Sequence, residues 1–170
     1  MKNLSLVVFL ALTNLSFSQS ISNDPPLDYL SVPFGNYALE GEKTEILKII
    51  DRFMLAVNTR SKSIFDEVLY SGINKIITTV DKKGQAKTAV FNNDESISRI
   101  VIGNDSTVYR ERYWDAVVIT EGNIASVWAP YDFYINGEFS HCGVDLFYLV
   151  RDEDWKIAHY GYTKTETCNK

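Results

Sequence analysis

Asp132, His141 and Asp145 set two carboxylates and an imidazole among the aromatic side chains of Trp128, Tyr134 and Phe147. A carboxylate beside an imidazole favours the charged form of both and orients the ring. In a site that excludes water such a couple can act as a general acid or base. Whether it does depends on how the chain brings these residues together. Between them lies Asn136-Gly137, a pair that tolerates positive φ at both central positions, and the flanking runs are rich in β-branched and aromatic residues. This is the pattern of a β-hairpin.

A two-residue loop fixes the register by counting outward from Ile135 opposite Glu138, and facing residues share one side of the sheet. Asp132 then faces His141, Trp128 faces Asp145, Ser126 faces Phe147 and Tyr134 faces Phe139. Opposed Cβ atoms lie roughly 4.5–5.5 Å apart, so Asp132 and His141 are expected to touch. His159, on a last strand, is expected to join them. Trp128, Tyr134, Phe147, Asp145 and His159 would then line a pocket for a small organic molecule. The opposite face, with Val127, Ala129, Tyr131, Phe133, Val144 and Leu146, is mostly apolar.

Each of these residues also has a plain structural role open to it. Asp132 and His141 can be a half-wetted cross-strand pair that contributes little, and a Trp such as Trp128 is commonly core. Asp145 is harder to place, because a carboxylate among Val144, Leu146 and Phe147 is costly if buried without a partner. Pro130 and Gly143 mark a place where a long strand can bulge, which would move Trp128 and Asp145 relative to Asp132 and His141. Cys142 falls on the face opposite His141, against a thiol–imidazole nucleophile. A metal site from Asp132, His141, Asp145 and His159 has no diagnostic spacing. No HExxH, phosphate-cradling glycine loop or nucleophile elbow occurs, so neither metal nor cofactor is expected.

The elements that must position this hairpin are legible upstream. Apolar residues at Ile46, Ile49, Ile50, Phe53, Met54 and Val57 fall on one helical face and predict a helix over residues 42–59. Ser61 can cap a shorter helix carrying Ile64, Phe65, Val68 and Leu69. Strands are expected at 73–80 and 86–91, around the turn Asp81-Lys82-Lys83-Gly84. Asn92 and Glu95 predict the start of a third helix, and Gly103 its stop. A strand over 108–119, the hairpin, and a last strand over 155–163 complete the order. Helices first and long antiparallel strands after them make an α+β domain, with helices on one face of the sheet.

The chain has 170 residues, enough for one domain with a sizeable core, and its 17 basic against 22 acidic residues leave a net charge of −5. With no basic stripe, a nucleic-acid partner is not expected. Met1-Lys2-Asn3, the apolar run from Leu4 to Leu15 and the small residues around Ser18-Gln19 read as a signal peptide over residues 1–18. Export to the periplasm or medium is the expected destination, and no later stretch is long enough for a membrane span. Residues 19–41 hold Pro25, Pro26 and Pro33 and read as an extended arm, residues 42–163 as the domain, and 164–170 as a tail. Cys142 and Cys168 are the only cysteines, and export leaves both a disulfide and two free thiols open.

The order of elements, together with Val127-Trp128-Ala129-Pro130-Tyr131-Asp132-Phe133-Tyr134-Ile135-Asn136-Gly137-Glu138-Phe139-Ser140-His141-Cys142-Gly143-Val144 and Trp155-Lys156-Ile157, resembles the nuclear transport factor 2-like superfamily over about residues 42–163. More narrowly it resembles exported bacterial proteins of lumazine-binding type. The resemblance implies a cystatin-like cone, in which a strongly curved antiparallel sheet wraps around the N-terminal helices with a pocket inside. It also implies frequent homodimerisation through the outer sheet face, here Val127, Ala129, Tyr131, Phe133, Val144 and Leu146. The superfamily includes isomerases, dehydratases, epoxide hydrolases and non-catalytic domains, so the fold does not choose among them. The leading expectation is an exported domain that binds a small organic molecule. The rival is a cofactor-independent lyase, isomerase or hydrolase with His141 as acid or base and Asp132 as its orienter.

Overall fold

The computed structural model describes residues 40–102 and 106–168. The expected leader and nearly all of the expected arm lie outside the described residues. Helix α1 (Glu40–Thr59) buries Ile46, Ile50, Phe53, Met54, Ala56 and Val57, the face its apolar spacing selects, and Glu40 and Glu42 sit in its first turn, where negative charge suits the helix dipole. It ends in a Schellman closure: Arg60 takes φ 56°, the Ser61 N–H donates to the Ala56 carbonyl at 3.0 Å and the Arg60 N–H to Val57 at 3.2 Å. Ser61 then caps α2 (Lys62–Val68), accepting from the Ile64 N–H. Asn92 accepts from the Glu95 N–H at 3.0 Å at the start of α3 (Asn93–Ile102), as its sequence predicts. Arg60 donates to the Ile100 and Val101 carbonyls at 2.8 and 3.2 Å, tying the end of α3 to the end of α1.

Among the described residues, seven strands form one curved, unclosed sheet: β1 (Asn74–Val80), β2 (Ala86–Asn92), β3 (Tyr109–Tyr113), β4 (Val117–Glu121), β5 (Ile124–Ile135), β6 (Glu138–Arg151) and β7 (Trp155–Thr165). Their order is β2-β1-β7-β6-β5-β3, with β4 also on β5. The strand expected over 108–119 is two strands. Asp115, at φ 45°, breaks the run, so β4 pairs one half of β5 and β3 the other. All pairs are antiparallel except β1 with β7, which runs parallel.

The hairpin turns where the Asn-Gly pair places it, with Asn136 and Gly137 at φ 53° and 83°, and Ile135 and Tyr134 face Glu138 and Phe139 as counted. One step further Ser140 is an extra residue, a bulge that pairs Phe133 with His141. A slip of one residue exchanges the faces of one strand relative to its partner. The concave face therefore carries Val127, Ala129, Tyr131 and Phe133 with Phe147, Asp145 and His141, and the convex face carries Trp128 and Asp132 with Leu146 and Cys142.

Helices α1 and α2 cover the concave face. Phe53 stands edge-on to Phe65, Phe147 and Tyr160 at centroid distances of 5.7, 5.2 and 5.1 Å. Cys142 and Cys168 are joined in a disulfide with Cα atoms 6.2 Å apart, which ties the chain after β7 to the convex side of β6. Among the described residues no helix is long and apolar enough to cross a membrane.

Candidate ligand site

Where the concave face outruns the helices, a cavity of about 390 Å³ opens between the sheet, α1 and α3. Its floor is formed by Phe53, Phe65, Lys75, Asp145 and Tyr160, all buried. Tyr131, Phe133, Tyr162, Ile77 and Glu111 make the walls, and Phe91, Arg99, Ile135, Ser140 and Lys164 stand at the more exposed end. Strand alternation explains the set: Tyr160, Tyr162 and Lys164 follow one another at every second residue of β7, and Lys75 and Ile77 of β1 are registered against the first two.

Two close fits hold the β6–β7 wall. A Cβ on Gly143 would meet the Thr163 carbonyl oxygen at 1.9 Å, so only glycine lets the strands approach this closely. The Thr163 carbonyl accepts from the Tyr131 hydroxyl at 2.8 Å, and the Thr163 hydroxyl accepts from the Val144 N–H at 2.9 Å. On the other side Asn58 of α1 clamps β3 at Glu111. It donates to the Glu111 carbonyl at 3.0 Å and accepts from the Glu111 N–H at 2.6 Å. These bonds satisfy backbone groups on an edge strand and fix where the Glu111 side chain starts.

The floor is electrostatically unusual. Asp145 is 3 % exposed, and its Oδ2 has no hydrogen-bond partner among the described residues. Burial, and secondarily the charge of Glu111, pushes its pKa well above the ordinary value, which favours the protonated carboxyl. Burial raises Glu111 to about 7, with Lys75 pulling the other way. Burial lowers Lys75 to about 8, opposed by Glu111. Its ammonium lies 5.9 Å from the ring centroids of both Tyr160 and Tyr162. His141 stacks on Phe133 at 4.9 Å, and its Nδ1 is 2.9 Å from the Ser140 hydroxyl. Burial first, and the charge of Lys164 second, lower its pKa to about 4, so the ring is neutral.

Of the residues singled out in the sequence, the structure brings His141 and Asp145 together on the cavity wall. It separates Asp132 from them. The Ser140 bulge places Asp132 opposite Cys142 on the convex face, where Arg112 donates to its two carboxylate oxygens from Nε and Nη2 and holds its pKa low. Trp128 is convex as well, 46 % exposed and opposite Leu146 rather than Asp145. Tyr134 lies edge-on to Phe139 and under the Arg110 guanidinium at 4.4 Å. Phe147 faces inward but is fully buried core, stacked on Tyr160 at 6.0 Å. His159 is opposite Tyr148 on the convex side. Asp132 and His159 thus face away from His141 and Asp145, and the four cannot share an ion. The expected outer face is corrected in the same way: Val144 and Leu146 lie there, whereas Val127, Ala129, Tyr131 and Phe133 point inward.

Sequence reasoning missed Glu111 and Lys75. The alternation Tyr109-Arg110-Glu111-Arg112-Tyr113 carried a signal, since a strand whose aromatic side faces the core must bury the acid between its tyrosines. Lys75 opens a strand and reads as solvated until a parallel partner buries it.

No family model matches the sequence, and no curated protein matches it. Solved structures do. A protein of unknown function with a cystatin-like fold from Nostoc punctiforme aligns at a TM-score of 0.57 with 10% identity, covering 78% of this chain and 97% of that one. An NTF2-like protein of unknown function from Shewanella baltica aligns at 0.54 with 15% identity, covering 78% and 100%. An NTF2-like superfamily protein from Salmonella enterica aligns at 0.55 with 14% identity, covering 75% and 93%. At these identities the likeness establishes the fold, an NTF2-like α+β architecture, and nothing about chemistry.

Proposed function

We propose that this chain is an exported, homodimeric domain of NTF2-like type that binds one small organic molecule in the cavity of its curved sheet. The observation that carries this is the floor: a buried carboxyl whose Oδ2 has no partner among the described residues opens into about 390 Å³ of space walled by aromatics. A buried polar atom without a partner costs about 1–3 kcal/mol, and a ligand atom that accepts its proton recovers that cost. The volume is within the range typical of small-molecule sites. The signal-like leader supports export, as does the cystine, since disulfides persist in oxidising compartments. The narrower sequence resemblance puts lumazine among the first ligands to titrate.

The test is to denature the purified protein and identify what it releases by mass spectrometry, then to titrate that compound back. Binding with a rise in melting temperature that disappears in Asp145→Leu is expected. A cavity that releases nothing, and a melting temperature that no screened compound moves, would remove the reading in favour of a filled assembly module.

A catalytic reading keeps one specific observation in its favour. Glu111, brought to about 7 beside Lys75, has the affinity for protons that a general base needs at neutral pH. In a lyase, isomerase or hydrolase, Glu111 would take the role that the Asp132/His141 pair cannot fill, with protonated Asp145 donating to developing negative charge. Turnover that falls at least about a hundredfold in Glu111→Gln, with folding intact, would establish it.

A further inference from the structure

The charges around the cavity are not those of the protein as a whole. The chain carries a net charge of −5, yet Lys75, Arg99 and Lys164 line a space whose acidic neighbours, among the described residues, are Glu111 and Asp145. Asp145 is buried and lines the cavity beside Phe53, Tyr160 and Tyr162 with no cation bonded to it among the described residues, a placement that disfavours loss of its proton. Glu111 is balanced by Lys75, whose ammonium already occupies the ring faces of Tyr160 and Tyr162. The place where an aromatic cage could take a ligand's cation is thus filled by the protein's own. Among the described residues two cations remain uncompensated, Lys164 and Arg99, at the more exposed end of the cavity. Lys164 is half-buried and close enough to His141 to depress its protonation, Arg99 is exposed on α3 and lines the same space, and neither is in an ion pair among the described residues.

Floor and mouth are therefore chemically different ends of one space. The floor offers an acid proton in an apolar setting, the walls offer ring faces from Tyr131, Phe133 and Tyr162, and the mouth offers two cations. We infer that the occupant is a planar aromatic or conjugated organic acid, bound with its carboxylate at Lys164 and Arg99 and a carbonyl-type acceptor against Asp145. This inference rests on the proposed small-molecule site and adds the ligand's charge, polarity and direction of entry. A cationic ligand would meet Lys75 and the mouth cations, and an ionised group driven to the floor would lose its water without a counter-charge.

The experiment compares four probes on the whole, disulfide-bonded protein by calorimetric titration: 6-acetyl-2-naphthoate, its neutral amide 6-acetyl-2-naphthamide, 6-ethyl-2-naphthoate without the ketone, and 2-acetylnaphthalene without the carboxylate. Hydrogen bonds to charged groups are strong enough that the keto acid should bind roughly tenfold or more tighter than the amide. Lys164→Met with Arg99→Met should abolish that difference. Loss of the ketone should weaken binding about tenfold. Asp145→Leu should remove this second difference, and Asp145→Asn, which keeps a donor, should retain it. Equal affinity for acid and amide, or a preference that survives the double substitution, overturns the inference and leaves the small-molecule site standing. Binding of 2-acetylnaphthalene with none of the acids does the same, and failure of all four probes overturns the inference, while the small-molecule site is decided by what the protein releases on denaturation.

Discussion

An ionised Asp145 would be buried without a cation among the described residues, and its raised folded-state proton affinity follows from that. Below its ordinary value of 3.8 both folded and unfolded chains hold the proton and the group contributes nothing. As the pH rises through that value the unfolded chain ionises first, so stability falls until the folded carboxyl also titrates. Glu111 adds a loss of the same sign between 4.5 and about 7. His141 runs the other way: kept neutral down to about 4 against an ordinary 6.5, it removes stability as the pH falls through that interval. Replacement by an isosteric amide isolates the first of these. Asp145→Asn should match the parent in urea unfolding near pH 3.5 and be the more stable of the two at pH 7.5, because only the parent loses stability as its unfolded chain ionises. An equal increment at both pH values would show that Asp145 ionises freely. At this scale the sequence was informative where alternation within one strand decides. His141 and Asp145 stand four residues apart on β6 and share a face whatever their partners do. Asp132 was placed through a cross-strand count, and that count did not survive the hairpin.

What broke the count was one residue. The Asn-Gly turn set the first two pairs correctly, and Ser140 then stood out of the ladder, three residues before Gly143, where the bend was expected. Nothing in the residue types marks Ser140 as extra. The bulge follows from the curvature that brings β5 and β6 around α1, a tertiary demand invisible to local pattern. Gly143 does have a role, on the other side of β6, where β7 comes too close for any side chain. Gly143→Ala should therefore lower stability by about 2–4 kcal/mol, because the clash is with backbone rather than a movable side chain. Gly41 is the control: it lies in α1 with nothing within 4 Å of an added Cβ, so Gly41→Ala should gain about 0.5–1 kcal/mol. Chemical unfolding of both variants checks the pair, and a neutral Gly143→Ala would mean that β7 can move away from β6. A third substitution bears on the edge strand. Asn58→Ala gives up both bonds to the Glu111 backbone, and should cost about 1–3 kcal/mol and speed amide exchange in β3. Helix ends were legible for a related reason: Ser61 and Asn92 act on amides three residues away, so nothing distant could overrule them.

Across the whole molecule, the bulge changes which residues an outer-face dimer would use. Four of the six residues expected on that face from the sequence are interior, and the convex side instead presents Trp128 between Val117 of β4 and Leu146 of β6, with Ile119, Ile124 and Tyr148 beside them. Leu146 is 53 % exposed and Trp128 46 %, and a contiguous apolar surface of this kind is characteristic of an interface. Closed two-fold pairing would put the same patch on both subunits, so one substitution enters the contact twice. Leu146→Glu should then convert a species of twice the chain mass into one of the chain mass in sedimentation at micromolar concentration. Because Leu146 points away from the core, its melting profile extrapolated to low concentration should match the parent's. Arg112 and Asp132 on the same side provide the contrast, since their bidentate pair is satisfied within the chain and Asp132→Asn should leave the sedimentation mass unchanged. A parent that sediments at the single-chain mass would leave the convex patch without a twin, and the cavity on the other face of the sheet would be unaffected.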